Sequence, residues 1–477
     1  MWGCIRYMLD VIVRSLRDAD AVKAMLKTFY PDWEVRVYTL HGVRKYDEMV
    51  DEINSLVEND HFYILMLGRQ DQGVALKLDK SLPPNIAVHI VPRSKIRNTR
   101  IEHLAYEFSI AKSKFRLAVN WSSRYNSFVF GLRQGVVLED YEFNPAYDVF
   151  LGIGEGFRKI LEKILRVNIC NNPLLVRKFS GEHDIYCGVK KIAKLSIPDE
   201  GFKPSGKYFN REFDPGTNRI ENLLKANNEI LKMYEEISLS FLKKYSDWAD
   251  TIIIPWSGGK DSTASLLLAL KAFPRDKIKV LFSDTGTEFP WTIGYVEELA
   301  DKLGIEIYRV YAGVDKGLLK EKLPMPTHDN RWCTARKIAS ITKGIARLSE
   351  GKTLIVTGDR DAESKRRSIR SPVRRVDSET MIVSPLKFWS AAHVQLYILW
   401  SGYRLNPLYE MGFYRIGCYI CPALRSWELY IMTNDPLIST TLNKYELYRK
   451  FLKHRLKMKH HEAFIEDFSC DILSIYG

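Results

Sequence analysis

The residues best suited to chemistry form one short turn rich in small, charged and hydroxyl side chains, Ser257-Gly258-Gly259-Lys260-Asp261-Ser262. The turn lies between the apolar run "TIIIPW" and the apolar pattern "DSTASLLLALKAF", which predicts a strand, a turn and a helix that begins near Asp261. The two glycines let the backbone approach a ligand closely, and the start of a helix offers free N–H groups to an anion. Lys260 adds a cation, both serine hydroxyls can donate to phosphate oxygens, and Asp261 suits a helix cap or Mg²⁺. The turn is therefore expected to bind phosphate, although its spacing differs from that of a Walker A loop.

Two further segments are expected to lie beside this turn, because each follows another predicted strand. The first, Asp284-Thr285-Gly286, ends the run "KIKVLFSD" and suits contact with a ribose, an adenine or a metal, with an ordinary Asp–Gly turn as the alternative. The second, 358–375, is rich in arginine, which pairs bidentately with phosphate or sulfate. Glu363 is expected to orient an arginine, whereas Arg374 and Arg375 are assigned to a solvated loop. The candidate nucleotide-binding residues of this segment are Gly358, Arg360, Glu363, Ser364 and Arg367.

The order of the apolar runs predicts an α/β fold for the second half of the chain. From residue 251, near-continuous apolar strands alternate with helical patterns, which is typical of a parallel sheet with helices on both faces. Ligands bind such sheets at the carboxyl ends of the strands, where all three segments are placed. The expected organisation is a smaller N-terminal α/β or α+β domain, a small β module or linker, the parallel-sheet domain opened by a long amphipathic helix, and a basic helical extension, at 1–175, 176–217, 218–430 and 431–477.

The turn at 257–262 resembles the PP-loop of the adenine-nucleotide α-hydrolase-like superfamily. The segments after it narrow the resemblance to the phosphoadenosine-phosphosulfate (PAPS) reductase family: "VLFSDTGTEFPWTIGYVEELADKLG", "VTGDRDAESKRRSIR", and, towards Cys421, Pro385, Trp389, Asn406-Pro407-Leu408-Tyr409 and Gly417-Cys418. The resemblance covers roughly residues 215–430. It implies a PP-loop-type sheet that binds an adenylyl nucleotide, namely PAPS, adenylyl sulfate or ATP, with Mg²⁺ if ATP is used. It also implies catalytic roles for Lys260 and Asp261.

Three cysteines are the candidate ligands of a metal centre. Cys418 and Cys421 form a C-x-x-C pair, and Cys333 lies earlier, in "RWCTARK". Family members that hold a four-iron cluster carry a Cys-Cys pair in this earlier segment, and here Trp332 replaces the first cysteine. The resemblance implies an iron–sulfur cluster with three thiolate ligands, while zinc and unligated buried cysteines stay open as alternatives. A fourth ligand is expected from Cys470, Cys170 or Cys187, unless one iron is left open for a substrate sulfur.

The sequence leaves open which reaction is carried out. The first hypothesis is reduction of PAPS or adenylyl sulfate to sulfite, in which a cysteine attacks the sulfonyl sulfur and a thioredoxin-like donor releases sulfite. Cys470 in "DFSCDILSIYG" is the candidate nucleophile, although its neighbours differ from the Glu-Cys-Gly tail of the family's reductases. The alternative is an ATP-dependent iron–sulfur sulfurtransferase that modifies tRNA or DNA. A non-enzymatic RNA-binding protein is the third hypothesis, and the intact Lys260, Asp261 and Arg360 disfavour it.

Composition and charge predict a large globular protein that is not embedded in a membrane. The 477 residues are too many for one ordinary core, and the apolar stretches are too short to span a bilayer. The net charge of +13 favours a polyanionic partner, with a solvated basic surface as the alternative. Seven irregularly spaced cysteines and the lack of a signal-peptide pattern predict a cytoplasmic protein with reduced thiols. The basic stretch 443–464 suits either contact with nucleic acid or packing by its Tyr, Phe and Leu face.

Overall fold

The computed structural model describes residues 8–456, so Cys470 and its predicted role as the attacking thiol lie outside the described residues. Within that range, no helix combines the length and the apolar character that a bilayer-crossing segment requires. The described part of the chain forms four β-sheets, two of which consist largely of parallel strands. The candidate site lies on the second of these parallel sheets.

The first part of the described chain is a parallel sheet covered by helices. Its elements are β1 (Leu9–Val13), α1 (Leu16–Phe29), β2 (Val37–Thr39), α2 (Tyr46–Leu56), β3 (Phe62–Gly68), α3 (Gln72–Ser81), β4 (Ile86–Val91) and α4 (Ile101–Leu117). The strand order is β2-β1-β3-β4, with every neighbouring pair parallel. These strands and helices confirm the α/β character predicted for the N-terminal part of the chain. Strand β1 was not predicted, because a fully buried run of five residues has no periodicity that separates it from a helix.

Two antiparallel sheets follow. The first consists of β5 (Val119–Ser122), β6 (Ser127–Phe130) and β7 (Val136–Val137). The second, called the bridging sheet below, has the order β12-β11-β10-β9-β8. It is built from β8 (Asp148–Leu151), β9 (Leu174–Arg177), β10 (Glu182–Cys187), β11 (Lys190–Ser196) and β12 (Ser205–Tyr208), with α5 (Glu155–Leu165) between its first two strands. The bridging sheet therefore contains residues on both sides of the domain boundary predicted at residue 175. Its strand β8 precedes the stretch 176–217 for which a small β module or linker was predicted.

A disulfide joins Cys170 to Cys187 beside the bridging sheet. Both residues are fully buried in the apolar cluster between this sheet and the C-terminal helices. The prediction of reduced thiols is wrong for this pair, because no spacing rule in the sequence links a loop cysteine to the end of β10. Neither sulfur carries a thiolate while the bond is intact, so neither is available as the fourth ligand of a metal centre.

Removing this disulfide is expected to lower the free energy of unfolding by about 3 kcal/mol, the value for a closed loop of roughly 15 residues. The measurement is the unfolding midpoint of the wild type and of the Cys170→Ala/Cys187→Ala variant, each with and without dithiothreitol. The wild type should lose stability in the reductant, and the double variant should not respond to it. A wild type that is equally stable in both conditions would contradict the expectation.

The second parallel sheet carries the candidate site. It follows the long helix α6 (Ile220–Lys243), which confirms the long amphipathic helix predicted at the start of this domain. The strands are β13 (Thr251–Pro255), β14 (Ile278–Asp284), β15 (Ile307–Tyr311), β16 (Thr353–Val356), β17 (Val373–Arg375) and β18 (Thr380–Val383). The helices are α7 (Lys260–Ala272), α8 (Pro290–Leu303), α9 (Val314–Leu319), α10 (Trp332–Leu348), α11 (Lys365–Ser368), α12 (Ala391–Trp400) and α13 (Pro407–Glu410). The order is β15-β14-β13-β16-β18-β17, and only β17 is antiparallel to its neighbour, so the predicted parallel sheet is confirmed.

The strand order fixes where a ligand can bind. From β13 the chain moves outward through β14 to β15, and it then returns past β13 to β16. Because crossovers between parallel strands are right-handed as a rule, this strand order puts α7 and α8 on one face of the sheet and α10 on the other, in agreement with the predicted helices on both faces. The order therefore reverses between β13 and β16, which opens a crevice at their carboxyl ends. The turn at 257–262 follows β13 and the loop at Gly358 follows β16, so both border this crevice.

One apolar core joins the two parallel sheets. Phe62 on β3 lies 5.2 Å from Tyr234 on α6 and 5.4 Å from Phe388 between ring centroids. A buried ion-pair cluster lies at the same junction, where Asp361 contacts Lys112 at 3.2 Å and Lys387 at 3.0 Å. These contacts hold the first part of the chain firmly against the sheet that carries the site.

Three helices complete the described chain, α14 (Ser426–Asn434), α15 (Pro436–Leu442) and α16 (Glu446–Leu456). In α16 the side chains of Leu447, Tyr448, Phe451 and Leu452 are buried. The aromatic face of this basic stretch therefore packs inward, as the structural alternative proposed. Residues 457–464 of the stretch lie outside the described residues.

Candidate nucleotide-binding site

The turn at 257–262 has a backbone that only glycine adopts readily. Gly258 has a φ of +72°, in the left-handed region, and α7 begins two residues later at Lys260. Ser262 closes the turn, because its hydroxyl accepts from the Ser257 amide at 3.2 Å and donates to the Gly259 carbonyl at 3.0 Å. The predicted strand–turn–helix unit is confirmed, and the helix starts one residue before the predicted position.

A segment far along the chain holds this turn in place. The Asn406 side-chain amide donates to the Gly258 carbonyl at 3.2 Å, and the Tyr409 hydroxyl accepts from the Lys260 amide at 3.0 Å. Both residues belong to the Asn406-Pro407-Leu408-Tyr409 motif at the start of α13. This motif therefore acts on the conformation of the turn.

A chain of alternating charges crosses the crevice from the turn to the bridging sheet. The Lys260 ammonium lies 3.0 Å from the Asp261 carboxylate, and Asp261 accepts from Nε of Arg360 at 2.6 Å. The Nη1 group of Arg360 lies 2.9 Å from the Asp148 carboxylate at the start of β8. The side chains of Arg360 and Asp148 are 3% and 4% exposed, so this ion pair is shielded from water.

The charges in this chain hold one another ionised. Burial alone would raise the pKa of Asp261, but Arg360 and Lys260 together hold it well below its usual range. Burial likewise opposes ionisation of Asp148, yet Arg360 and Arg177 lower the pKa of that carboxyl. Both carboxylates are therefore charged at neutral pH, and the network presents fixed charges to a ligand.

The loop after β16 comes close to the turn because it begins with glycine. A Cβ atom on Gly358 would lie 2.7 Å from the backbone carbon of Asp261, so no larger residue fits there. Further along, Glu363 accepts from the Arg360 amide at 3.1 Å and pairs with the Arg367 guanidinium, as predicted for an arginine-orienting carboxylate. Arg367 also has its backbone amide bonded to the Ser364 hydroxyl at 3.2 Å.

These groups line one cavity of about 590 Å³, which is within the size range of small-molecule sites. Ten of the predicted nucleotide-binding residues line it: Ser257, Gly259, Lys260, Asp261, Ser262, Gly358, Arg360, Glu363, Ser364 and Arg367. The remaining lining residues were not predicted to bind nucleotide. Asp148, Phe150 and Arg177 come from the bridging sheet. Tyr409, Tyr414 and Arg415 come from the segment before Cys418. No local motif marks the bridging-sheet residues, since they precede the PP-loop by many residues and only the fold brings them to it.

The third predicted segment has a different place. Asp284, Thr285 and Gly286 do not line this cavity. Asp284 accepts from the Gly286 amide at 2.7 Å, which is the ordinary Asp–Gly turn considered as the alternative. The Thr285 hydroxyl instead lies 3.4 Å from the Cys418 sulfur. This segment therefore contacts the thiols, and its predicted contact with nucleotide stays a prediction.

Of the three candidate ligand cysteines, Cys421 is close enough to Cys333 and to Cys418 to contribute to the raised pKa of both thiols, after the larger effect of burial. Cys418 forms a β-bridge with Glu288, and its sulfur lies 3.8 Å from the Glu288 carboxylate. Burial, together with that carboxylate, raises the pKa of the Cys418 thiol to about 12. Lys337, one turn after Cys333 on α10, reaches the same carboxylate at 3.8 Å. All three cysteines are free and partly exposed.

The three cysteines provide soft sulfur donors for a metal centre. Among residues 8–456, Glu58, Asp60 and His61 form a group in which the ligand atoms of three side chains lie within 4.8 Å of one another. Within this range, the three cysteines do not belong to such a group. Soft thiolate ligands nevertheless suit iron–sulfur or zinc chemistry, and Thr285 and Lys337 are polar neighbours of the kind that surround such sulfurs. If a cluster or zinc is bound, Cys333, Cys418 and Cys421 are the residues that would hold it.

The fold and the cavity define a PP-loop α/β protein that presents a glycine-containing turn at the reversal point of a parallel sheet. The family model for the phosphoadenosine phosphosulfate reductase domain matches residues 251–424. An uncharacterized protein of Methanocaldococcus jannaschii is 34% identical over 320 residues, which cover 61% of this chain and 74% of that protein. The chain belongs to the PAPS reductase family.

Further relatives show how far the similarity extends. A second uncharacterized protein of Methanocaldococcus jannaschii is 34% identical over 245 residues, and the chain spans about half (50%) of its length. An adenosine 5'-phosphosulfate reductase of Rhodococcus erythropolis is 31% identical over 163 residues, covering 33% of this chain and 64% of that enzyme. Among solved structures, a PAPS reductase of Candida auris gives a TM-score of 0.33 at 17% identity, covering 41% of this chain and 94% of the other.

Proposed function

We propose that this protein binds adenylyl sulfate in the cavity at the PP-loop and reduces it to sulfite. The observation that carries the proposal is the cavity itself, where the turn at 257–262, Arg360 and Arg177 converge in a space of nucleotide size. Five cations and four carboxylates line the cavity, so its charge is nearly balanced. This balance favours adenylyl sulfate over PAPS, because PAPS carries an additional phosphate.

The chemistry divides into two balanced steps. A thiolate attacks the sulfur of the sulfate group, the bond from that sulfur to the bridging oxygen breaks, and AMP leaves with the electron pair. The product is a cysteine S-sulfonate. One thiolate of an external dithiol, such as a thioredoxin-like protein, then attacks the cysteine sulfur and displaces sulfite, which leaves a mixed disulfide. The second thiol of the donor attacks this mixed disulfide, which releases the enzyme cysteine as a thiolate and leaves the donor oxidised to a disulfide. Cys470 is the proposed nucleophile, and Lys260 and Arg360 are proposed to hold the phosphate and sulfate oxygens.

The thiols beside the cavity support sulfur chemistry at this place. Ile416 lines the cavity, and Cys418 follows two residues later on the same strand-like segment. A cluster, if held by Cys333, Cys418 and Cys421, would supply electronic polarisation near this end of the cavity.

The test is sulfite release from adenylyl sulfate or PAPS by anaerobically purified full-length protein with thioredoxin and its reductase. We expect sulfite from adenylyl sulfate, a slower rate with PAPS, and no sulfite from the Cys470→Ser variant. Bound nucleotide without sulfite from either substrate would overturn the proposed reaction and leave the nucleotide site standing.

A second cavity favours ATP-dependent sulfur transfer to a nucleic acid as the other candidate function. It measures about 660 Å³ and shares Arg177, Glu363 and Ser364 with the first cavity, so an acceptor held there would lie beside the nucleotide. The aromatic rings of Tyr106 and Phe179, which are 54% and 59% exposed, belong to its lining. Exposed aromatic rings beside cations are typical of single-strand binding surfaces.

The two candidates differ in what stimulates nucleotide turnover. Sulfur transfer predicts AMP and pyrophosphate formation from ATP that depends on added tRNA or single-stranded DNA, and a Phe179→Ala variant should lose this stimulation. ATP turnover that does not respond to either nucleic acid would remove this candidate.

A further inference from the structure

We infer that Asp148 is a positioning residue that orients Arg360 towards the bound nucleotide. Asp148 lies on the bridging sheet, outside the segment that the family model matches. The inference deepens the proposed function and rests on it, since it assumes that an adenylyl nucleotide binds in the cavity at the PP-loop. Asp148 and Arg360 are separated by 212 residues in the chain and meet at 2.9 Å.

Contacts at both carboxylate oxygens fix the side chain of Asp148. One carboxylate oxygen, Oδ1, accepts from the Val149 amide at 3.0 Å and from the Ala391 amide at 3.2 Å. Ala391 is the first residue of α12, so the carboxylate lies at the positive end of that helix. The other oxygen, Oδ2, faces Arg360. With both oxygens bonded and the side chain buried, Asp148 has a single orientation.

The fixed Asp148 carboxylate in turn orients the guanidinium of Arg360. Its Nε group donates to Asp261 at 2.6 Å, and its Nη1 group donates to Asp148 at 2.9 Å and to the Trp389 carbonyl at 3.3 Å. Within residues 8–456, its Nη2 group donates no hydrogen bond, although Arg360 is only 3% exposed and lines the cavity. The two carboxylates hold the planar guanidinium on two sides, and the remaining Nη2 donors are left for an anionic ligand.

Without Asp148, the Arg360 guanidinium would take a different orientation. The nearest remaining anion is Asp261, and an arginine paired with one carboxylate prefers the bidentate geometry that uses two of its nitrogen atoms. Arg360 would then turn its donors towards Asp261, which already pairs with Lys260. The ligand would lose a preoriented donor. Asp148 thus acts through Arg360 on the anionic part of the nucleotide only.

The experiment compares Asp148→Asn with a matched control two strands away in the same sheet, Asp184→Asn. Asp184 is 2% exposed and pairs with Lys178 at 2.6 Å, but it does not line the cavity. Affinities for AMP and for uncharged adenosine are measured by titration calorimetry with the full chain, and the unfolding midpoint is measured for each variant. Asparagine keeps the acceptor oxygen for the two amides and removes the charge that orients Arg360.

We expect Asp148→Asn to bind AMP about tenfold or more weakly, a loss of the size found for residues that orient metal ligands, and to bind adenosine as the wild type does. Asp184→Asn should lose stability and keep both affinities. Equal affinity of Asp148→Asn and wild type for AMP, or an equal loss for AMP and adenosine, would overturn the inference. If the wild type itself fails to bind AMP, the proposed function fails instead, so the two failures are distinguishable.

Discussion

Replacing Arg360 with methionine is expected to lower the free energy of unfolding by about 3–5 kcal/mol, the cost of leaving buried charge without its partner. Methionine has a similar length and fills the space, so the loss reports charge more than volume. Two carboxylates lose their common partner: Asp148, with a side chain 4% exposed, and Asp261, with a side chain 22% exposed. Denaturant unfolding followed by circular dichroism gives the measurement.

Two control variants separate this ion-pair effect from a general effect of the substitution. Arg415→Met changes an exposed arginine of the same cavity and should shift stability by at most about 0.5 kcal/mol. Adding Asp148→Asn to Arg360→Met should recover part of the loss, because the buried carboxylate is then neutral. If Arg360→Met is as stable as Arg415→Met, the buried network does not have the strength assigned to it.

Replacing Lys260 with alanine is expected to weaken AMP binding by about tenfold to a hundredfold, since hydrogen bonds to charged groups contribute roughly 1.5–3 kcal/mol. The Lys260 side chain lies in the cavity and is held by Asp261 at 3.0 Å. Burial lowers the pKa of Lys260, but Asp261 and Tyr409 more than compensate, so the net pKa is raised and the side chain is cationic at neutral pH. Titration calorimetry with AMP measures the effect.

The matched control is Lys271→Ala in the last turn of the same helix. Lys271 pairs with Glu235, is 43% exposed and lies outside the cavity. Its replacement should leave the AMP affinity unchanged. If both lysine variants bind AMP equally well, the nucleotide phosphate does not lie at the PP-loop.

The sequence predicted the parts of the site that are local. Gly258 and Gly259 lie between a predicted strand and a predicted helix, and this arrangement predicted a turn suited to phosphate. In the structure the turn lies at the reversal point of the sheet. The alternation of apolar runs and helical patterns likewise predicted the parallel sheet. These features depend on neighbouring residues, so periodicity and turn chemistry are sufficient to find them.

The parts that were missed depend on contacts between distant segments. Asp148 and Arg177 enter the cavity from an antiparallel sheet whose short strands carry no motif, and the fold alone brings them to Arg360. The pairing of Cys170 with Cys187 is invisible for the same reason. Thr285 follows β14, and its hydroxyl donates to the Glu288 carboxylate at 3.0 Å and lies 3.4 Å from the Cys418 sulfur, contacts that the sequence did not predict, while its predicted contact with nucleotide stays a prediction.

The measurement that tests the central claim most directly is a crystal structure of the full chain with AMP. The account predicts the phosphate of AMP against the turn at 257–262, within hydrogen-bond distance of Lys260 and of the Nη2 group of Arg360. It also predicts that Asp148 keeps its contact with Arg360 in the complex. AMP bound at another surface, or an empty cavity at a saturating AMP concentration, would contradict the account.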